Sequence, residues 1–88
     1  MKSKRTNKQT VTGIIIPQRW DSKGNVTGVS IQAFDESEYI VNVYKRGKEL
    51  FDFINEKVRV TGELQERLDG KVLIKVNQFE VLKSYNTV

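Results

Sequence analysis

From Thr10 onward, apolar and polar residues mostly alternate with period two, and Gly, Asn, Asp and Ser interrupt the alternation. That pattern predicts strands joined by tight turns. The first strand reads Thr10-Val11-Thr12-Gly13-Ile14-Ile15-Ile16 and continues past Pro17 to about Trp20. Its apolar residues fall on both faces, which suits a strand shared by two packed layers. Gly13 and Pro17 mark expected bends or bulges, because neither is comfortable inside a flat ladder. Asp21-Ser22-Lys23-Gly24-Asn25 is a turn. A second strand is predicted from Val26 to Phe34, and a third from Glu38 to about Lys45, with Asp35-Glu36-Ser37 turning between them. Val29, Ile31 and Ala33 share one face with Tyr39, Val41 and Val43. Gly28, Ser30, Gln32 and Phe34 share the other with Ile40, Asn42 and Tyr44. Residues directly opposite each other in a sheet must share a face, so Ile31 is expected opposite Val41 and Val29 opposite Val43.

The period changes once. Leu50, Phe53 and Ile54 stand at i, i+3 and i+4, which predicts a short helix over 47–54 with Asn55 as its left-handed stop. Two turns suffice to plug the end of a barrel but not to cover a sheet. Strand four is predicted from Lys57 to about Arg67 and strand five from Lys71 to Leu82. Strand five changes parity near Asn77-Gln78, the sign of a bulge. A three-residue loop, Leu68-Asp69-Gly70, sets Leu64 opposite Ile74. A two-residue loop at Asp69-Gly70 would set Leu64 opposite Lys75, so the longer loop is preferred, with Gly70 left-handed.

Composition narrows the chemistry. Eighty-eight residues leave room for one domain with one modest core. The longest unbroken apolar run is Ile14-Ile15-Ile16, too short for a membrane helix, and no long apolar stretch follows the basic N-terminus as in a secretory signal. A cytoplasmic location is therefore expected. Cysteine and histidine are both absent. Disulfides, thiolate metal sites, Cys nucleophiles and the usual general base are excluded. The densest acidic group, Asp35, Glu36 and Glu38, sits in a tight turn where carboxylates ordinarily point into water. Lys23-Gly24-Asn25-Val26-Thr27-Gly28 lacks the phosphate-binding loop pattern and leads into a strand. The expectation is a non-enzyme without cofactor or metal.

The net charge is +4, but it is unevenly placed. Lys2, Lys4, Arg5 and Lys8 precede the first acid, Asp21, leaving 11 of the 15 basic residues against 11 acids. The chain thus divides into a basic, mobile tail over 1–8, a neutral domain over 9–83 and a C-terminal tail over 84–88. The basic tail reads either as a solvated end or as an arm adding phosphate contacts. No assignment follows for Tyr85.

Three strands in a meander, a short helix and a final hairpin resemble the oligonucleotide/oligosaccharide-binding (OB) fold, an all-β, five-stranded Greek-key barrel. The residues carrying the resemblance are Val11-Thr12-Gly13-Ile14-Ile15, Lys57-Val58-Arg59-Val60-Thr61-Gly62-Glu63-Leu64, and Asp69-Gly70-Lys71 followed by Ile74-Lys75-Val76. It covers about residues 9 to 83 and is similar to the anticodon-binding and single-strand-binding OB domains. An SH3-like barrel also has five strands, and the helix after strand three favours OB. The resemblance implies binding through the faces of strands two and three and the loops joining strands 1–2 and 4–5. On that map Trp20, Phe34 and Tyr44 would stack bases. Arg19, Lys23, Lys45, Arg46, Arg67 and Lys71 would track phosphates, and Ser30, Gln32 and Asn42 would bond to base edges or sugar. Trp20 reads equally as packing over the barrel, Phe34 as covering the sheet edge, and Tyr39 as core. The expected partner is single-stranded DNA or RNA. The alternative is a protein partner held by an exposed Phe34, Ile40 and Tyr44 patch.

Overall fold

The alternation closes on itself. In the computed structural model, which describes residues 8–82, ten side chains from all five strands and the helix form one core: Val11, Ile15, Val29, Ile31, Val41, Leu50, Val58, Val60, Ile74 and Val76. The elements are β1 (Lys8–Trp20), β2 (Val26–Ala33), β3 (Glu38–Val41), a 3-10 helix (Lys45–Phe53), β4 (Lys57–Glu66) and β5 (Val72–Val81). They make a closed barrel in the order β1-β2-β3-β5-β4, with β3 and β5 parallel and every other pair antiparallel. This is the expected all-β layout, an OB-like five-stranded barrel with one short helix between strands three and four. Among the described residues no helix is long and apolar enough to cross a membrane.

β1 serves both walls. Its first half pairs with β4 and its second half with β2, and Gly13 belongs to both ladders. A Cβ at Gly13 would collide with the Gln32 carbonyl, and one at Gly62 with the Lys75 carbonyl, so both strands approach as only glycine allows. The expected bend near Pro17 falls one residue later, as register shifts on either side of Arg19. The expected parity change in β5 is a bulge: Thr61 faces Gln78 but Gly62 faces Val76, leaving Asn77 over. Leu64 faces Ile74, as the three-residue loop requires.

Three expectations need correction. Ile31 faces Tyr39, not Val41, and Ser30 faces Ile40. The chain turns back earlier: Ser37 accepts from the Ala33 N–H, and Phe34, Asp35 and Glu36 make a three-residue loop with Glu36 at φ 75°. The shift is two residues, so the faces survive it. β3 stops at Val41, not near Lys45, and Val43 and Tyr44 lie beyond it, exposed. The helix starts at Lys45 and is of the 3-10 type, with Ile54 at its end and Asn55 at φ 73°. Its Leu50 is fully buried while Phe51 and Ile54 pack on the rim of the core, and Phe53, expected there, lies instead 5.7 Å from the Phe79 ring. The proposed tails fall largely outside the described residues, but Lys8 already belongs to β1.

Candidate nucleic-acid interface

The outer face of β1, β2 and β3 is fixed by register. One row crosses it as Ile16, Ser30, Ile40 and Leu73, and the next as Lys57, Ile14, Gln32 and Glu38. Ser30 is on this face yet fully buried, and its hydroxyl donates to Glu38 Oε2 at 2.8 Å. Ser30 therefore holds Glu38 instead of meeting solvent. Gln32 is half-buried. Asn42 follows β3, and its Oδ1 accepts the Tyr44 N–H at 2.9 Å while its own N–H donates to the Ile74 carbonyl at 3.0 Å. That pair of bonds shapes the exit from β3 towards the helix.

The three expected stacking residues are all open, with Trp20 55%, Phe34 61% and Tyr44 60% exposed. They do not form one row. Trp20 pairs with Val26 at the start of β2, and Tyr44 stands just past the end of β3, so both occupy the same end of the β2–β3 hairpin. Phe34 is in the loop at the other end, with the Lys57 amine 5.4 Å from its ring centre. At about 3.3 Å per residue, β2 separates the two ends by roughly 25 Å. Phe34, Ile40 and Tyr44 are consequently spread along the hairpin, with Ile40 half-buried between them.

The cations divide in the same way. Arg19 lies against Gly28 on β1 and Lys23 sits in the β1–β2 loop, both exposed. Arg67 bonds Asp69 at 3.0 Å within the β4–β5 loop, and Lys71 follows it, exposed. Lys45 opens the helix. Arg46 is turned elsewhere: it grips Glu49 with two bonds of 3.0 and 3.1 Å and lies 5.1 Å over the Phe79 ring. In a 3-10 helix, residues three apart eclipse, so the Arg46–Glu49 spacing is the cause. Sequence reasoning missed that spacing. It also missed Lys57 over Phe34, which the cross-strand register alone reveals, and the Arg59–Glu80 pair at 2.9 Å on β4 and β5.

The three hairpin loops, two of which carry these cations, are stapled by aspartates. Asp21 accepts the backbone N–H of Lys23 and Asn25, both at 2.9 Å, and the Asn25 amide at 3.2 Å. Asp35 accepts the Ser37 N–H, and Asp69 the Lys71 N–H, each at 3.0 Å. These donors favour the ionised form. The Asn25 bonds hold Asp21 below the usual carboxylate range, the Ser37 bonds do so for Asp35, and the Lys71 N–H, aided by the charges of Arg67 and Lys71, does so for Asp69. Between the β4–β5 loop and β3 lies a cavity of about 320 Å³, lined by Gln18, Ser37, Glu38, Ile40, Gly70, Lys71 and Val72. Among the described residues no group of three or more acidic side chains converges to hold a metal ion.

Comparison with protein-family models, curated proteins and solved structures found no match. The site's chemistry therefore rests on its own geometry: two exposed aromatic rings at one end of the β2–β3 hairpin, cations in the β1–β2 and β4–β5 loops, and a cavity of mixed lining between the β4–β5 loop and β3.

Proposed function

We propose that this chain is an OB-fold domain that binds single-stranded DNA or RNA without catalysis, in the cytoplasm, through the outer face of β2 and β3. The observation that carries this reading is the pair of exposed rings, Trp20 and Tyr44, at one end of the β2–β3 hairpin, with Arg19 next to Trp20 on β1 and Lys23 in the loop that follows. Bases of any sequence can stack on such rings, and lysine and arginine can follow the phosphates. The β4–β5 loop, with Arg67 and Lys71, offers a second set of cations across the cavity. The strand order β1-β2-β3-β5-β4 supports the comparison with OB barrels, whose ligands cross this face.

The test is fluorescence anisotropy of labelled oligo-dT and oligo-rU at several salt concentrations. Arg19, Lys23 and Lys71 together give an expected slope of about −2 in log affinity against log salt, from about 0.7 per phosphate neutralised on a single strand. A contact driven by Phe34, Ile40 and Tyr44 with a protein would barely respond to salt. Absence of oligonucleotide binding at low salt would overturn the reading in favour of that protein partner.

A further inference from the structure

The cavity between β3 and the β4–β5 loop carries a hydrogen-bonding pattern as well as a shape. Glu38 lines it, and Glu38 is not free to swing, because the fully buried Ser30 hydroxyl holds its Oε2 at 2.8 Å. A carboxylate keeps about four acceptor sites, so both oxygens can still receive further donors. Lys71 lines the same cavity, and among the described residues it forms no ion pair. Ile40 and Val72 supply apolar surface beside these groups. The charged groups of the cavity are a donor, the Lys71 amine, and two adjacent acceptors, the Glu38 oxygens, with Gln18 and Ser37 beside them able to donate or accept. The volume, about 320 Å³, admits a single flat ring system.

Only one common base presents the complement of the Lys71–Glu38 pair along its Watson–Crick edge. Guanine shows an acceptor, O6, followed by two donors, N1–H and N2–H. Thymine and uracil show one donor between two acceptors, so one carbonyl would face the carboxylate. Cytosine places its ring nitrogen and O2 there as acceptors, and adenine offers one amino donor beside an acceptor nitrogen. Bases splayed from a single strand are commonly read on this edge. We propose that Glu38 and Lys71 form a guanine-reading pocket, with Ser30 as the positioning residue that aims Glu38. The proposal rests on the single-strand reading above and adds a base preference to it. It also accounts for a carboxylate on a face meant for phosphates, where a bare negative charge would only repel.

The experiment uses the full chain and four labelled 11-mers: all dT, and the same strand with a central dG, dC or deoxyinosine. Inosine is guanine without its N2 amine. The dG strand is expected to bind about tenfold tighter than all dT, the discrimination typical of a bidentate pair, and inosine to lose most of that gain. Glu38→Gln should abolish the dG preference and tighten all dT, since a repulsive charge has gone. Lys71→Met should narrow the preference, and Ser30→Ala, which releases Glu38, should narrow the ratio of dG to all-dT affinity as well. The inosine comparison needs no variant, so a misfolded mutant does not remove the test. Equal binding of all four strands would overturn the guanine pocket and leave the single-strand reading standing. Binding of none would overturn both.

Discussion

The barrel's two sides treat their charges differently. On the β4–β5 side Arg59 is paired with Glu80 across the strands, and Arg46 is locked to Glu49 above Phe79. On the β1–β2 side, Arg19 and Lys23 form no ion pairs among the described residues, and the exposed Trp20 ring adjoins Arg19, with Tyr44 at the same end of the β2–β3 hairpin. Exposed ion pairs contribute little to stability, so their pairing matters less for the fold than for what remains available. An arginine already neutralised by a carboxylate, as Arg46 and Arg59 are, attracts a phosphate backbone less than an unpaired one. The neutral body indicated by the sequence therefore hides a difference between individual cations: the arginines Arg46 and Arg59 are paired, whereas Arg19 and Lys23 are not.

The sharpest way to break this contrast is to remove the rings. Trp20→Ala with Tyr44→Ala should weaken oligonucleotide binding well over tenfold, since each stacked base is worth about 1–3 kcal/mol. Arg59→Ala on the other side should leave affinity unchanged by the same anisotropy assay. Next come the open cations. Arg19→Ala with Lys23→Ala should flatten the salt slope by about 1.4, whereas Glu49→Gln, which frees Arg46 on the paired side, should not restore it.

Smaller effects concern the loops that present those cations. All three hairpin loops have three residues, and their left-handed positions are Gly24, Glu36 and Gly70, with φ of 88°, 75° and 86°. Only Glu36 has a side chain to strain there. Glu36→Gly should raise stability by about 1 kcal/mol in chemical denaturation, and Gly70→Ala should lower it comparably. The weakest effect expected is acid sensitivity. Asp21, Asp35 and Asp69 are held below their ordinary range in the folded chain, so the unfolded chain binds protons first as pH falls. Their contribution is complete above the ordinary carboxylate range and is lost as pH drops through about 4 towards the folded values. Melting temperature should fall between pH 6 and pH 3. Changing all three to Asn should make that fall shallower.

The barrel was legible because strand alternation and core burial are the same fact: Val58, Val60 and Gly62 face inward as their period requires. The Asn77 bulge and the Leu64–Ile74 register were legible too, since parity leaves few alternatives. The β2–β3 register was not. A two-residue slip preserves every face, so hydrophobic pattern cannot detect it, and the decisive clue was the recurrence of a three-residue loop at Phe34-Asp35-Glu36. Parity placed Ser30 outward, as it is, but could not reveal that its neighbours cover it. The direction of Arg46 depended on the helix being 3-10, which the apolar stripe alone does not specify.

Trp20 is the only tryptophan and is 55% exposed, so its emission reports directly on the proposed surface. The most direct test is to titrate that emission with oligo-dT and oligo-rU at low salt, then at rising salt. The account expects saturable quenching whose midpoint weakens linearly in log affinity against log salt. Oligonucleotide binding confirmed by anisotropy with no change in Trp20 emission would contradict it.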